Sequence, residues 1–242
     1  MKKLIGGLVL VGVIFAAAIS VFPLDTMESA YNVSINQIYN DSLSGTDDTV
    51  DWYKFTISGD GGLAVFIESP FFIMYQVGIT LYYQDPGTGK INEIDHDDNI
   101  AEMKNVSGAC RAGTYYVKVE IKDSDVLIIP FDYIIGFAFS DKTENLAFGA
   151  NLIRRELDLD NNAVTWILLV NQNKDDSFDP DIYLFDDKTL VGMSVLREGF
   201  DYICWPINGG IGKSHFDCLI SSSDGYGNFW MMVVTYHLPP EG

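Results

Sequence analysis

The stretch Thr46-Asp47-Asp48-Thr49-Val50-Asp51-Trp52-Tyr53-Lys54-Phe55-Thr56-Ile57 constrains the fold more than any other part of the chain. It opens as a polar turn dense in carboxylates and passes into strict alternation. Trp52, Lys54 and Thr56 fall on one face, Tyr53, Phe55 and Ile57 on the other, which is the period of a half-buried strand. A related run, Asn161-Asn162-Ala163-Val164-Thr165-Trp166-Ile167-Leu168-Leu169-Val170, keeps the strand and the tryptophan without the carboxylates. On this comparison Glu144 to Trp166 parallels Glu28 to Trp52. Asp181–Asp187 parallels Gly78–Gln84, Ser214–Ile220 parallels Thr114–Glu120, and Phe229–Tyr236 parallels Phe131–Phe139. Elements repeated in one order predict a tandem duplication with its seam near Asp141–Thr143.

Strand-length runs dominate the rest: Leu63–Ile67, Gln76–Tyr83, Thr114–Ile121 and Tyr133–Phe139. Turn clusters such as Ser58-Gly59-Asp60-Gly61-Gly62 and Asp85-Pro86-Gly87-Thr88-Gly89 separate them. The fold class read from this pattern is all-β, two tandem antiparallel β-sandwich domains at 24–140 and 141–242. At 242 residues each half is long enough to bury a core.

The first 20 residues read as a leader helix. Lys2 and Lys3 precede the apolar run Leu4–Ala18, and Ala16-Ala17-Ala18 offers a cleavage site. Three fates fit: a cleaved signal peptide, an uncleaved membrane anchor, or processing beside Gly6 or Gly7 that keeps the helix for assembly. Each places the remainder outside the cytoplasmic membrane, extracellular or at the cell surface, with membrane contact only through an uncleaved leader. The formal charge of −19 repels phosphate backbones, so nucleic acid is not an expected partner.

Gly45–Phe55, Ile79-Thr80-Leu81-Tyr82-Tyr83, Ala112-Gly113-Thr114-Tyr115-Tyr116-Val117-Lys118-Val119 and Asp132-Tyr133-Ile134-Ile135 occur in that order. Together they resemble the bacterial pre-peptidase C-terminal domain over about residues 27–140, and faintly, through the internal repeat, over 144–242. The resemblance implies a jelly-roll-like sandwich in each half. It implies a module that accompanies secreted enzymes without being catalytic, binding an extracellular protein or polysaccharide. It also keeps calcium in view, although Pro23–Glu28 is poor in the ligands that calcium-binding relatives carry ahead of the domain.

Asp47, Asp48 and Asp51 are the candidate metal ligands, since calcium takes six to eight oxygens and a carboxylate-rich turn supplies several. The competing reading is a solvated turn with one aspartate capping backbone N–H groups. Asp95, Asp97 and Asp98 make a second acidic loop that lacks the glycine and distal glutamate of an EF-hand. Cys204 and Cys218 flank a turn-rich loop and are expected to form a disulfide, with Cys110 left as a buried thiol. Asn32, Asn40 and Asn105 each begin an N-x-Ser sequon, a glycan acceptor in a secreted eukaryotic or archaeal protein.

Catalysis finds no footing. His96, His215 and His237 sit in no HExxH or hydrolase-elbow context. Tyr82, Tyr83, Tyr115, Tyr116, Trp205 and Trp230 fit either a sugar-stacking platform or strand packing. A structural alternative is a filament or surface-layer subunit that self-assembles by strand exchange, with Tyr31–Ile38 as the donated strand.

Overall fold

The computed structural model describes residues 26–44, 48–69, 72, 76–101, 103–122, 130–147, 152–160, 163–172, 178–194, 200–206 and 213–237. The predicted leader and Asp47 lie outside them. The described residues contain no helix long and apolar enough to cross a membrane.

Strands fill nearly all of the described chain. The first half holds β1 (Tyr31–Asn32), β2 (Gln37–Leu43), β3 (Val50–Ile57), β4 (Gly61–Glu68), β5 (Val77–Gln84), β6 (Ile91–Asp97), β7 (Met103–Cys110), β8 (Gly113–Ile121) and β9 (Phe131–Ser140). The second holds β10 (Thr143–Leu146), β11 (Ile153–Asp160), β12 (Ala163–Asn171), β13 (Asp179–Asp186), β14 (Thr189–Ser194), β15 (Phe200–Pro206), β16 (Lys213–Asp224) and β17 (Gly227–His237).

Four sheets result. A first outer sheet, β1-β3-β8-β5-β6, faces a first inner sheet, β2-β9-β4-β7. A second inner sheet, β10-β17-β12-β15, faces a second outer sheet, β11-β16-β13-β14. With β1 set aside, the strands of each half occupy their sheets in one shared order. This is the arrangement of an eight-stranded jelly roll. Every pairing is antiparallel except β1 on β3. Position in the sheets makes β11, not β12, the counterpart of β3, and β12 the counterpart of β4. Matching Trp166 to Trp52 is therefore one strand out of step, whereas the matches of β13 with β5, β16 with β8 and β17 with β9 agree with the topology.

Each facing pair encloses a core. Tyr53, Phe55, Ile57, Leu63, Val65, Val117 and Phe137 belong to the first, and Leu159, Ile167, Leu169, Leu184, Phe216 and Phe229 to the second. A third apolar layer joins the two inner sheets. Ala64, Phe66, Met103, Ile134 and Ala138 pack there against Trp166, Leu168, Val170, Trp230, Met232 and Val234. Phe66 and Trp166 lie 5.7 Å apart, the Trp166 indole donates to Glu68 at 3.1 Å, and Asn40 donates to Tyr236 at 2.7 Å. A Cβ on Gly62 would fall 2.3 Å from the Trp230 ring, so only glycine admits this approach. The inner strands are therefore buried on both faces. Every residue of β12 is buried, and from Ala163 to Val170 its sequence is apolar on both faces save Thr165, not alternating.

The expected disulfide is not formed; all three cysteines are free thiols. Cys204 lies on β15 in the second inner sheet and packs against the layer between the sandwiches. Cys218 lies on β16 in the outer sheet and faces the second core. β15 and β16 belong to different sheets, so the sulfurs point into different layers. Burial pushes the Cys218 thiol up to about 12, raises Cys204 further, and takes Cys110 to about 11.

Candidate ligand-binding face

The alternation read in the opening stretch holds. Tyr53, Phe55 and Ile57 enter the first core, which leaves Trp52, Lys54 and Thr56 on the open side of the outer sheet. Register places Trp52 beside Lys118, Thr80 and His96 across β3, β8, β5 and β6. The next row sets Lys54 beside Tyr116, Tyr82 and Glu93. Aromatic and cationic side chains therefore alternate across the strands. The Lys118 ammonium sits 5.9 Å from the Trp52 ring centre and that of Lys54 5.4 Å from Tyr116, close enough for cation–π attraction. Trp52 and Tyr82 pack with ring centres 5.4 Å apart.

Beside this ladder lies a groove of about 300 Å³, lined by Thr80, Tyr82, Glu93, His96, Asp98, Glu120 and Lys122. Gly78 gives it depth: a Cβ there would meet the Asp98 carboxylate at 2.3 Å and the Lys122 stem at 2.6 Å. Glu120 lies between Lys118 and Lys122 and pairs with both. Burial works to raise its carboxyl, but hydrogen bonds from the two lysines outweigh that and hold it below the ordinary value. The Tyr82 hydroxyl is pushed up by burial, then by Glu93 and Glu120. A bulge between Leu81 and Tyr82 shifts β6 by one residue and brings Glu93 opposite Tyr82.

The predicted sugar platform divides in two. Tyr82 and Tyr116 are on this face, whereas Tyr83 and Tyr115 point into the first core. Trp205 packs on Phe216, and Trp230 lies between the sandwiches. Adjacent residues of a strand face opposite ways, so consecutive tyrosines cannot share a surface. Trp52, Lys118, Glu120 and Lys122 were not singled out for this face. Their signal was the alternation itself, which sets one aromatic next to a lysine on the open side of β3 (Trp52, Lys54) and of β8 (Tyr116, Lys118).

The acidic residues have other partners. Asp48 pairs with Ser44 in a short antiparallel bridge, closing the turn before β3. Asp51 is 2% exposed and accepts from the Tyr133 hydroxyl at 2.6 Å. Tyr133 also contacts the Tyr53 hydroxyl, and Tyr53 donates to Asp41 at 2.7 Å. An Asp41–Tyr53–Tyr133–Asp51 chain thus crosses the first sandwich. Burial raises both tyrosines well above their usual value and raises Asp41, against the pull of the Tyr53 hydroxyl and the Ser42 N–H.

Asp95 accepts from the Ser107 N–H at 3.1 Å and Asp97 from that of Asn105 at 3.0 Å. These bonds join β6, the edge of the outer sheet, to β7, the edge of the inner one. Asp98 turns toward the groove and lies 3.7 Å from Lys122. Burial lowers the ammonium of Lys104 nearby, with Asp97 and Asp98 opposing. Among the sequon asparagines, Asn32 is exposed on β1, Asn40 is engaged by Tyr236, and Asn105 accepts from the Ser107 hydroxyl at 3.3 Å.

No family model and no curated protein matches the chain. The pre-peptidase C-terminal domain of a Bacillus anthracis collagenase aligns with 45% of this chain and 93% of its own length, at 15% identity and a TM-score of 0.37. Naturally occurring empty particles of cowpea mosaic virus align over 98% and 95%, at 7% identity and 0.29. A tandem CBM22-1–CBM22-2 pair from Paenibacillus barcinonensis aligns over 81% and 83%, at 9% identity and 0.21. At these scores the likenesses decide neither fold nor role, and the β-sandwich assignment rests on the sheet topology.

Proposed function

We propose that the chain is a non-catalytic extracellular binding module that takes a glycan on the open face of its first outer sheet. The groove beside Tyr82 carries this reading. Small-molecule pockets are mostly apolar and enclose roughly 300–1,000 Å³. This one is at the small end and is lined by carboxylates, cations, a threonine and one aromatic ring. Such a lining suits a ligand that offers many hydroxyls and one apolar face, which describes a sugar ring stacked on Tyr82. The ion pairs around Glu120 fix donors and acceptors in place before the ligand arrives, which limits the ordering cost of binding.

Affinity electrophoresis of the purified chain against neutral, acidic and amino-sugar polysaccharides tests the proposal. Retardation by at least one class is expected, and Tyr82→Ala should weaken it by about tenfold or more, as for an aromatic anchor. Retention unchanged in Tyr82→Ala and in Lys122→Ala, or none with any polysaccharide, sinks it. Assembly by strand exchange has less support. The segment proposed as the donor is already paired within its own chain, Tyr31–Asn32 on β3 and Gln37–Ile38 on β9.

A further inference from the structure

On the second outer sheet, at the far side of the molecule from the groove, register sets Glu156 opposite Asp217 and Asp158 opposite His215. Residues two apart on a strand share a face, as do residues directly opposite. Four side chains with ligand atoms therefore meet on one open surface. His215 Nδ1 lies 3.0 Å from Asp158 Oδ1, so its N–H donates to that carboxylate. In the neutral imidazole this leaves the lone pair on Nε2. Nε2 is 3.9 Å from Glu156 Oε2. Glu156, His215 and Asp217 each bring one ligand atom within 4.8 Å of the others, the one such convergence among the described residues. The neighbouring cation, Arg154, bonds Asp217 at 2.7 Å and approaches Glu156 at 3.6 Å. One guanidinium thus pairs with two of the three carboxylates.

We propose that Glu156, His215 and Asp217 bind a divalent first-row transition-metal ion of the zinc type, with Asp158 fixing the imidazole from behind. The donor set decides the class of ion. Imidazole with carboxylates suits zinc, nickel, copper or cobalt, whereas calcium prefers six to eight oxygens. The Asp158 bond is the outer contact that metal-binding histidines use to set their tautomer and strengthen Nε2 as a donor. Arg154 is the competitor, because an entering ion displaces its guanidinium from Asp217. The site is independent of the glycan reading, since the two outer sheets are separated by three core layers of roughly 10 Å each.

Calorimetric titration of the purified chain, without a polyhistidine tag, with zinc chloride is the test, and cobalt chloride supplies a visible spectrum. One ion per chain is expected. His215→Ala and Asp217→Asn should each abolish it and remove the cobalt bands. Asp158→Asn should weaken binding by about 10–100-fold, as loss of an outer-shell partner does. Arg154→Met should tighten it. Lys122→Met makes the same charge change on the opposite sheet and should leave affinity within about twofold, since charges so far apart are screened. Binding that persists in His215→Ala, equal tightening by Arg154→Met and Lys122→Met, or no uptake at millimolar zinc would each overturn the site.

Discussion

The two halves share one strand order, and within each the inner and outer sheets answer different demands. β3 and β8, in the first outer sheet, bury one face and leave the other to lysines, tyrosines and a groove. β4 and β12, at matching places in the two inner sheets, bury both faces. Side chains on one side of β4 close the first core, and those on the other close against the second sandwich. The two candidate sites both lie on outer sheets, on the kind of open face that the inner strands β4 and β12 lack. From the shared layer we expect the two jelly rolls to unfold as one cooperative body despite their separate cores.

Removing a side chain from the shared layer gives the largest expected effect. Trp166→Ala takes away an indole packed on Phe66 and bonded to Glu68, and leaves a cavity between the sandwiches. Truncations of this kind cost about 3–5 kcal/mol. Tyr82→Ala on the outer face should cost about 1 kcal/mol or less, as surface changes do. Differential scanning calorimetry should show a single transition in the wild type, moved far more by the first variant than by the second. Two resolved transitions, or equal shifts, would break the distinction between inner and outer sheets.

Much of that distinction was legible in the sequence. The alternation in Trp52–Ile57 placed its residues on the correct faces, and the apolar runs of β4 and β12 marked buried strands. What misled was the tryptophan. Trp52 and Trp166 occupy similar-looking strands, but one covers an open face and the other fills the layer between sandwiches. Sheet membership depends on hydrogen-bond partners far along the chain, which no local pattern records. The cysteines failed for the same reason, because β15 and β16 are neighbours in sequence and lie in different sheets. The groove was half visible: alternation exposes Tyr82 and Tyr116 together, but only register brings Glu93, Asp98 and Lys122 beside them. The cluster around His215 needed β11 aligned with β16, so His215, read only as lying in no catalytic motif, was not linked to Glu156, Asp158 or Asp217.

Calcium offers the next largest test. Asp47, Asp48 and Asp51 remain a proposed site at the turn before β3. The sequence just before β11, its counterpart, reads Gly149-Ala150-Asn151-Leu152 and has no carboxylate. An ion bound only by the folded state stabilises it by about 2.7 kcal/mol at a hundredfold excess over Kd. Because the sandwiches share a layer, calcium bound in the first half should raise the whole transition. Chelation should lower it again, and Asp48→Asn should blunt the response. A transition unmoved by millimolar calcium would reduce the carboxylates to a closed turn and the Asp51–Tyr133 bond.

The smallest expected effect lies in that buried chain. Asp41, Tyr53, Tyr133 and Asp51 make three successive contacts, whereas the two hydroxyls bring only two protons. The chain is completed when one carboxyl supplies the third; we assign it to Asp41, whose value burial raises, and its protonated form then donates to Tyr53 where the carboxylate accepts. A carboxyl that holds its proton more tightly when folded makes the folded state the greater proton binder above the ordinary value of 3.8. Stability from this group is therefore full below that value and is lost as pH rises through the folded one. Asp41→Asn replaces the acidic proton with an amide N–H that can donate to Tyr53 at any pH, and its carbonyl can still accept from Ser42. The variant should match the wild type near pH 3 and exceed it by about 1 kcal/mol at pH 7, the worth of one internal hydrogen bond. Urea denaturation at the two pH values measures the difference directly. A variant less stable than the wild type at pH 7 would mean that Asp41 serves there as an ionised acceptor and the third proton resides elsewhere.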